Sequence, residues 1–425
     1  MNTIRKQLIG LIVLGVILLP HPALAARLWM SGFELNSATD GVEFTSNSAP
    51  VAISTTNVRS GTYAGRITAG AGFWRQVVAT SNQTTVGYIS VCVYVVAAPN
   101  ATTQFVRWST TGNVSQGNIS MLTNRTLVLL KTDGTQIGSA SAAVALNTWT
   151  CVELANDAST SPGTLTGRIQ QDGAGSWTTF ATGNNSNQGA WARALIGNVT
   201  GAQTTNDMYF DDWKVNDSSG SNQTSFPDNG KIIALRPSAA GDSNGFLTQV
   251  GGTAGAANNF TRVNEVTPDD ATSYNGSAVL SAEDLFNMDN SGLQTYDTIN
   301  VVAMGVRMAD LVSADATAAF KIELEKTGSG TKSQSGTLIP NSTTWLTNAA
   351  TDPKNYPLVT YTDPDGAAWT STTLDSMQTG YIQTATNVQT IAVSTAWTYV
   401  DYTPGTAPTP TPNTGYKGNI LNEDE

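Results

Sequence analysis

Clusters of glycine, asparagine, aspartate and serine interrupt this chain at such short intervals that a long amphipathic helix has no room to form. Between the interruptions lie short runs rich in β-branched and aromatic residues. In the first half these are 87–97 (GYISVCVYVVA), 125–131, 148–155, 163–170 and 209–215. In the second half they are 231–235, 298–307 and 318–325. Many short strands separated by turn residues predict an all-β protein of sandwich or jelly-roll type. Only 12% of residues are charged, while Thr, Ser, Asn and Gly are plentiful, which suits strands and turns under a neutral polar surface.

A Ser/Asn-rich stretch, 217–222, separates two such blocks. The expected organisation is a β-sandwich over 26–217, a linker over 218–229, a second β-sandwich over 230–402 and a Pro/Thr-rich disordered tail over 403–425. Each block is long enough to bury a core of its own. The second is less regular. Residues 281–288 (SAEDLFNM) read as a short helix or turn, with Ser281 capping and Asp284 near its start. An acidic surface turn at 268–272 is expected to lead into a strand starting at Tyr274. The run 359–361 leads into Thr362-Asp363-Pro364-Asp365-Gly366, a turn by its Pro and Gly chemistry, and Trp369 is expected to dock a loop on the core.

The first 25 residues predict export. Arg5 and Lys6 precede an apolar run at 8–19, followed by Pro20, Pro22 and the small-residue motif Ala23-Leu24-Ala25. Signal peptidase accepts only small side chains at the positions Ala23 and Ala25 occupy, so cleavage after Ala25 is expected. The rival reading, an uncleaved anchor, needs about 20 apolar residues to span a bilayer, and this run is shorter. At the other end, 403–412 alternates Pro and Thr and cannot build a packed core, so it reads as a linker or stalk.

Composition then narrows the chemistry. The net charge of −11 becomes −13 once Arg5 and Lys6 are removed, leaving 19 basic and 32 acidic residues. Such a chain has no basic stripe with which to replace phosphate counterions, so nucleic acid is an unsuitable partner. The single histidine, His21, lies in the leader. That removes Ser-His-Asp and Cys-His catalysis, ordinary zinc sites and imidazole general bases from the mature chain. Carboxylate chemistry remains open, but Glu323-Leu324-Glu325 lacks a third alternating acid and reads as the solvent face of an ordinary strand.

Three features of residues 27–216 carry a resemblance. Gly32-Phe33-Glu34-Leu35 with Asp40-Gly41, and Tyr209-Phe210-Asp211-Asp212-Trp213-Lys214-Val215, are similar to the first and last strands of carbohydrate-binding-module jelly rolls. Val91-Cys92-Val93 followed by Trp149-Thr150-Cys151 resembles the laminin-G-like and pentraxin branch of the concanavalin A-like sandwich. The resemblance implies fold more than activity. It brings the terminal strands together, where acids can hold a structural calcium. Glu34, Asp40 and Asp212 are the candidate ligands it implies, because calcium accepts carboxylates without histidine.

Cys92 and Cys151 are the only cysteines, and an exported chain meets an oxidising compartment, so a disulfide is the default; two separate buried thiols are the other possibility. Strand alternation puts Ile89, Val91, Val93 and Val95 on one face, as it does Thr150, Val152 and Leu154. Each cysteine points the other way, Cys92 with Tyr88 and Tyr94, Cys151 with Trp149 and Glu153. If the aliphatic faces are the core, then Tyr94, Trp149 and Glu153 lie on the outer sheet face as candidate glycan contacts. The bland reading makes Trp149 itself core.

Residues 230–402 have a different resemblance. Ile233-Ala234-Leu235-Arg236-Pro237, Asn258-Asn259-Phe260, Val263-Asn264-Glu265 with 268–274, and Pro364-Asp365-Gly366-Ala367-Ala368-Trp369 are similar to an uncharacterised β-sandwich module of phage and environmental bacterial proteins. That family implies no activity. Glu265, Asp269 and Asp270 are its candidate ligand residues.

The expectation is a secreted or periplasmic bacterial protein that binds glycan or another extracellular surface and performs no chemistry. Two other readings stay open: a structural subunit of an extracellular or phage-like assembly, and a carboxylate-dependent polysaccharide hydrolase or lyase. No membrane span is expected after the leader, and the oligomeric state is not legible.

Overall fold

The computed structural model describes residues 26–408 apart from 40, 173–174, 186–188, 200–204, 313–317, 341, 352 and 386–389. The expected leader and residues 409–425 of the expected tail lie outside the described residues. The fold is all-β. Its strands form four sheets, and the ladders between them are antiparallel.

The first two sheets draw on residues 27–217. One runs in the order Thr178–Asn184, Thr164–Gln171, Trp149–Asp157, Val86–Ala97, Asp207–Asp217, Ala64–Ile67 and Ala52–Ser54, and Arg27–Ser31 also pairs with Asp207–Asp217. The other is centred on Thr103–Ser109 and Arg193–Gly197. Their facing sides bury Ile89, Val91, Val93, Val152 and Leu154 against Phe105, Trp108, Ile119 and Leu129. The period-2 alternation of the Val86–Ala97 run is therefore real: its aliphatic face is core.

The last two sheets draw on residues 231–403. The strands Thr298–Asp310 and Ile391–Thr403 form the spine of the third sheet. The fourth runs Pro237–Asn244, Glu283–Met288, Met377–Ala385, Ala319–Lys326 and Lys332–Gln334. Between them lie Phe286, Val302, Met304, Val306, Ile322, Leu324 and Tyr381. The third sheet is covered on both faces. Val302 and Met304 point into this second core, whereas Val301, Ala303, Trp397 and Tyr399 join the core of the first sandwich. Burial on both faces accounts for the nearly unbroken apolar run at 301–306. Gly305 lies beneath the Trp397 indole, where an added Cβ would fall 2.4 Å from the ring.

Three expectations need correction. Residues 281–288 are neither helix nor turn: Glu283–Met288 is an interior strand between two neighbours. Ser281 precedes it with φ 61° and caps nothing there. Helix-forming residues yield because Phe286 and Met288 complete the second core. The acids of Glu323-Leu324-Glu325 do not face solvent either. Lys332–Gln334 pairs alongside and brings the Lys332 ammonium over them, 3.1 Å from Glu325. Finally, 218–229 is no free spacer: the Phe226 ring packs 5.1 Å from Tyr88, and Ser90 donates to the Asp228 carbonyl. Elsewhere the second half behaves as expected, with a short turn at Asp270–Thr272, a strand at Tyr274–Ser277 and Trp369 buried in the core. The expected tail begins as strand, since Ile391–Thr403 includes Thr403.

Candidate functional site

Cys92 and Cys151 stand directly opposite each other on neighbouring strands, bonded, with their Cα atoms 3.9 Å apart. Their face is the outer one. One register step away, Trp149 pairs with Tyr94, Tyr94 with Tyr209 and Tyr209 with Arg66. Four adjacent strands thus place three aromatic rings and a guanidinium in one row across the sheet. The Tyr94 ring lies 5.6 Å from Trp149 and 6.3 Å from Tyr209, and Arg66 covers the Tyr209 ring at 5.1 Å. Both ends of the Arg66 fork donate to Asp207 at 2.9 Å, which fixes the cation over the ring. Trp149 and Tyr94 are half-buried and Tyr209 is buried. Trp149 is therefore not core; it is a ledge on the outer face.

Tyr209 and Arg66 were not among the sequence candidates. Tyr209 lies two positions before Asp211, and the strand's alternation breaks just beyond, where Asp212 adopts φ 53° and the register shifts. Arg66 sits in a four-residue strand with no pattern of its own.

Glu153 shares the outer face but is not available to a ligand. It is fully buried, Arg168 donates to it through two nitrogens, one at 2.8 Å, and the Asp228 N–H donates at 2.7 Å. Burial raises its carboxyl to about 7 against the pull of Arg168. The segment at 226–230 covers this part of the face and leaves the aromatic row beyond it.

The two calcium candidates among the described residues, Asp212 and Glu34, are each engaged with protein donors. The Asp212 carboxylate accepts from Arg59 at 2.5 Å, from Ser60 at 2.5 Å and from the Ile232 N–H at 2.6 Å. Glu34 accepts from the Thr62 and Tyr63 N–H groups at 2.9 and 3.0 Å, and burial pushes its carboxyl up to about 8. A site whose oxygens face a guanidinium and backbone donors does not fit a divalent cation. Asp40 lies outside the described residues. Among the described residues no three acidic, Cys or His side chains are placed to hold a metal.

Acids of the second half are also engaged. Asp270 accepts from the Nε and Nη2 of Arg307, at 2.5 and 2.7 Å. Burial raises the carboxyls of Glu265, to about 7, and of Asp269. Glu283 and Glu323 share the Lys332 ammonium, which lies 3.5 Å from Glu323, and burial raises the Glu323 carboxyl to about 7.

The class defined is an all-β protein of two joined antiparallel sandwiches with an aromatic row on one sheet face. No protein-family model matches the chain, and no curated protein matches it. Among solved structures it is similar to a Trypanosoma rangeli sialidase mutant displaying trans-sialidase activity, at 15% identity and a TM-score of 0.28, over 43% of this chain and 29% of that one. The chain thus spans less than a third of that sialidase. It is also similar to the UEA-II lectin complexed with galactose, at 10% identity and a TM-score of 0.29, over 39% of this chain and 92% of the lectin. Lectin II from Ulex europaeus matches at 10% identity and a TM-score of 0.28, over 40% and 93%. Likeness at these scores bears on neither fold nor activity.

Proposed function

We propose that this chain is an exported carbohydrate-binding protein whose contact surface is Trp149, Tyr94 and Arg66, the last held in the row by the buried Tyr209 ring beneath it. The register that sets these side chains side by side on four neighbouring strands carries the reading. Strands lie about 4.8 Å apart, so the row spans about 14 Å, enough for a short run of sugar rings. Pyranose C–H groups stack on aromatic faces, and hydroxyls find Arg66 and Asp207 at the end of the row. Binding without chemistry is supported by a mature chain without histidine and by acids that are already hydrogen-bonded or ion-paired. The leader motif and the disulfide support action outside the cytoplasm. No helix among the described residues is long and apolar enough to cross a membrane.

Affinity electrophoresis against a panel of neutral plant and bacterial polysaccharides tests this. Retardation by at least one polymer is expected, with Trp149→Ala weakening it about tenfold or more and Tyr94→Ala less. Circular dichroism of both variants serves as the folding control. Equal retardation of wild type and Trp149→Ala, or none by any polymer, would overturn the reading.

A further inference from the structure

The sheet centred on Thr103–Ser109 and Arg193–Gly197 has an outer face of its own, across the first core from the aromatic row. Trp74, Ile196 and Val106 lie side by side on three adjacent strands and belong to that core. Their neighbours Arg75, Leu195 and Arg107 therefore lie side by side on the outer face, and Ser46 extends the row by one strand beyond Arg75. Arg193, two positions before Leu195, shares the face.

Arg75 and Arg107 lack what other guanidiniums of this sandwich have. Arg27, Arg59, Arg66 and Arg168 each lie on a carboxylate. Arg75 donates through Nη1 to the Asn113 side-chain oxygen at 3.0 Å, and Arg107 through Nη1 to that of Gln104 at 3.1 Å, both neutral amides. Arg193 donates to the same Asn113 oxygen, so two cations converge on one uncharged acceptor. Among the described residues no carboxylate pairs with Arg75 or Arg107, and the Nη2 of each has no acceptor. Both side chains are partly exposed. Burial, and after it the Arg75 charge, lowers the proton affinity of the Arg107 guanidinium. The chain has 32 acidic residues against 21 basic ones, yet none neutralises this pair. An anion from outside would relieve the repulsion.

The row also indicates the kind of anion. Arg75 and Arg107 are two strands apart, about 10 Å at the backbone, the scale of two adjoining sugar units. Between them Leu195 is 1% exposed, so the row has no apolar pocket for the anchor side chains that protein partners use. Ser46 and the exposed Asn113 amide put neutral polar groups beside the charges, suited to hydroxyls. We infer that this face binds an acidic polysaccharide, with Arg75 and Arg107 each pairing with an oxyanion, a carboxylate or a sulfate ester, on adjoining sugar units. It uses other residues on the opposite sheet from the aromatic row, so either surface can fail alone.

Isothermal titration calorimetry of the full chain with polygalacturonate, dextran sulfate and unsubstituted dextran tests it. Binding that weakens as salt is added is expected with at least one acidic polymer and not with dextran. Which acidic polymer binds tells carboxylate from sulfate. Arg75→Gln and Arg107→Gln should each weaken that binding about tenfold, the worth of one charge-assisted hydrogen bond, with unchanged circular dichroism. Arg75→Lys/Arg107→Lys keeps both charges without the planar fork and should fall between wild type and the double glutamine variant. Lys321→Gln, which removes one positive charge from the second sandwich, should bind like wild type. No binding to either acidic polymer would overturn the inference, as would equal affinity of wild type and Arg75→Gln/Arg107→Gln. So would an equal loss in Lys321→Gln, since net charge alone would then govern binding.

Discussion

Glu153 has no solvent contact, and both its oxygens are spoken for, by Arg168 and by the Asp228 N–H. Removing the carboxylate would leave the Asp228 N–H without its acceptor and Arg168, 20% exposed, with Asp228 as its remaining ion-pair partner. Glu153→Ala is expected to lower unfolding stability by about 2–4 kcal/mol, a little under the usual figure for breaking a fully buried pair. Urea denaturation measures it, and a loss below 1 kcal/mol would contradict the account. Alternation along the strand placed Glu153 on the outer face, correctly. What it could not convey is that 226–230, some 75 positions away, folds back over that face. The same pattern was sufficient for Trp149 and Tyr94, because nothing covers their end of the sheet completely.

At the scale of elements, the disulfide ties the two central strands at opposed positions, at a sequence separation of 59. In the chain-entropy account a crosslink of that span contributes about 4 kcal/mol by restricting the unfolded chain. The ladder from Trp149 to Asp157 continues on both sides of the bond, so the row should survive without it. Cys92→Ala/Cys151→Ala is expected to lower stability by about 3–5 kcal/mol in urea while retaining polysaccharide binding in proportion to the folded fraction. Loss of binding in the folded double variant would mean that the bond itself shapes the row. Strand existence was readable from composition and turns, and so was this pairing. Glu283–Met288 was not, because Ala282, Glu283, Leu285 and Met288 are good helix formers and only the neighbours at 237–244 and 377–385 turn the segment into strand.

The molecule as a whole is less divisible than two blocks and a linker suggest. Met30, Trp29 and Phe44 share one core with Ile232, Trp397 and Tyr399, and Arg27 pairs with Asp401 at 2.8 Å in full burial. Glu43 sits at this seam, accepting from Ser31 of the first sandwich and, at 2.6 Å, from the Tyr399 hydroxyl of the second. Burial pushes its carboxyl up from 4.5 to about 7, against the pull of those hydroxyls. Below about 4.5 the acid is protonated in both states and costs nothing on folding. Between about 4.5 and 7 the unfolded chain ionises while the folded one still holds the proton, so stability falls as pH rises; above about 7 it levels off. Glu34 and Asp284, raised to about 8 and 7 by burial, act in the same direction. The chain is therefore expected to be more stable at pH 5 than at pH 8. Glu43→Gln keeps an acceptor for both hydroxyls and removes one ionisation, so it should shrink that difference by about 1–3 kcal/mol. Urea unfolding of wild type and variant at both pH values reads the effect directly, and an unchanged difference would place the pH response elsewhere than at the seam.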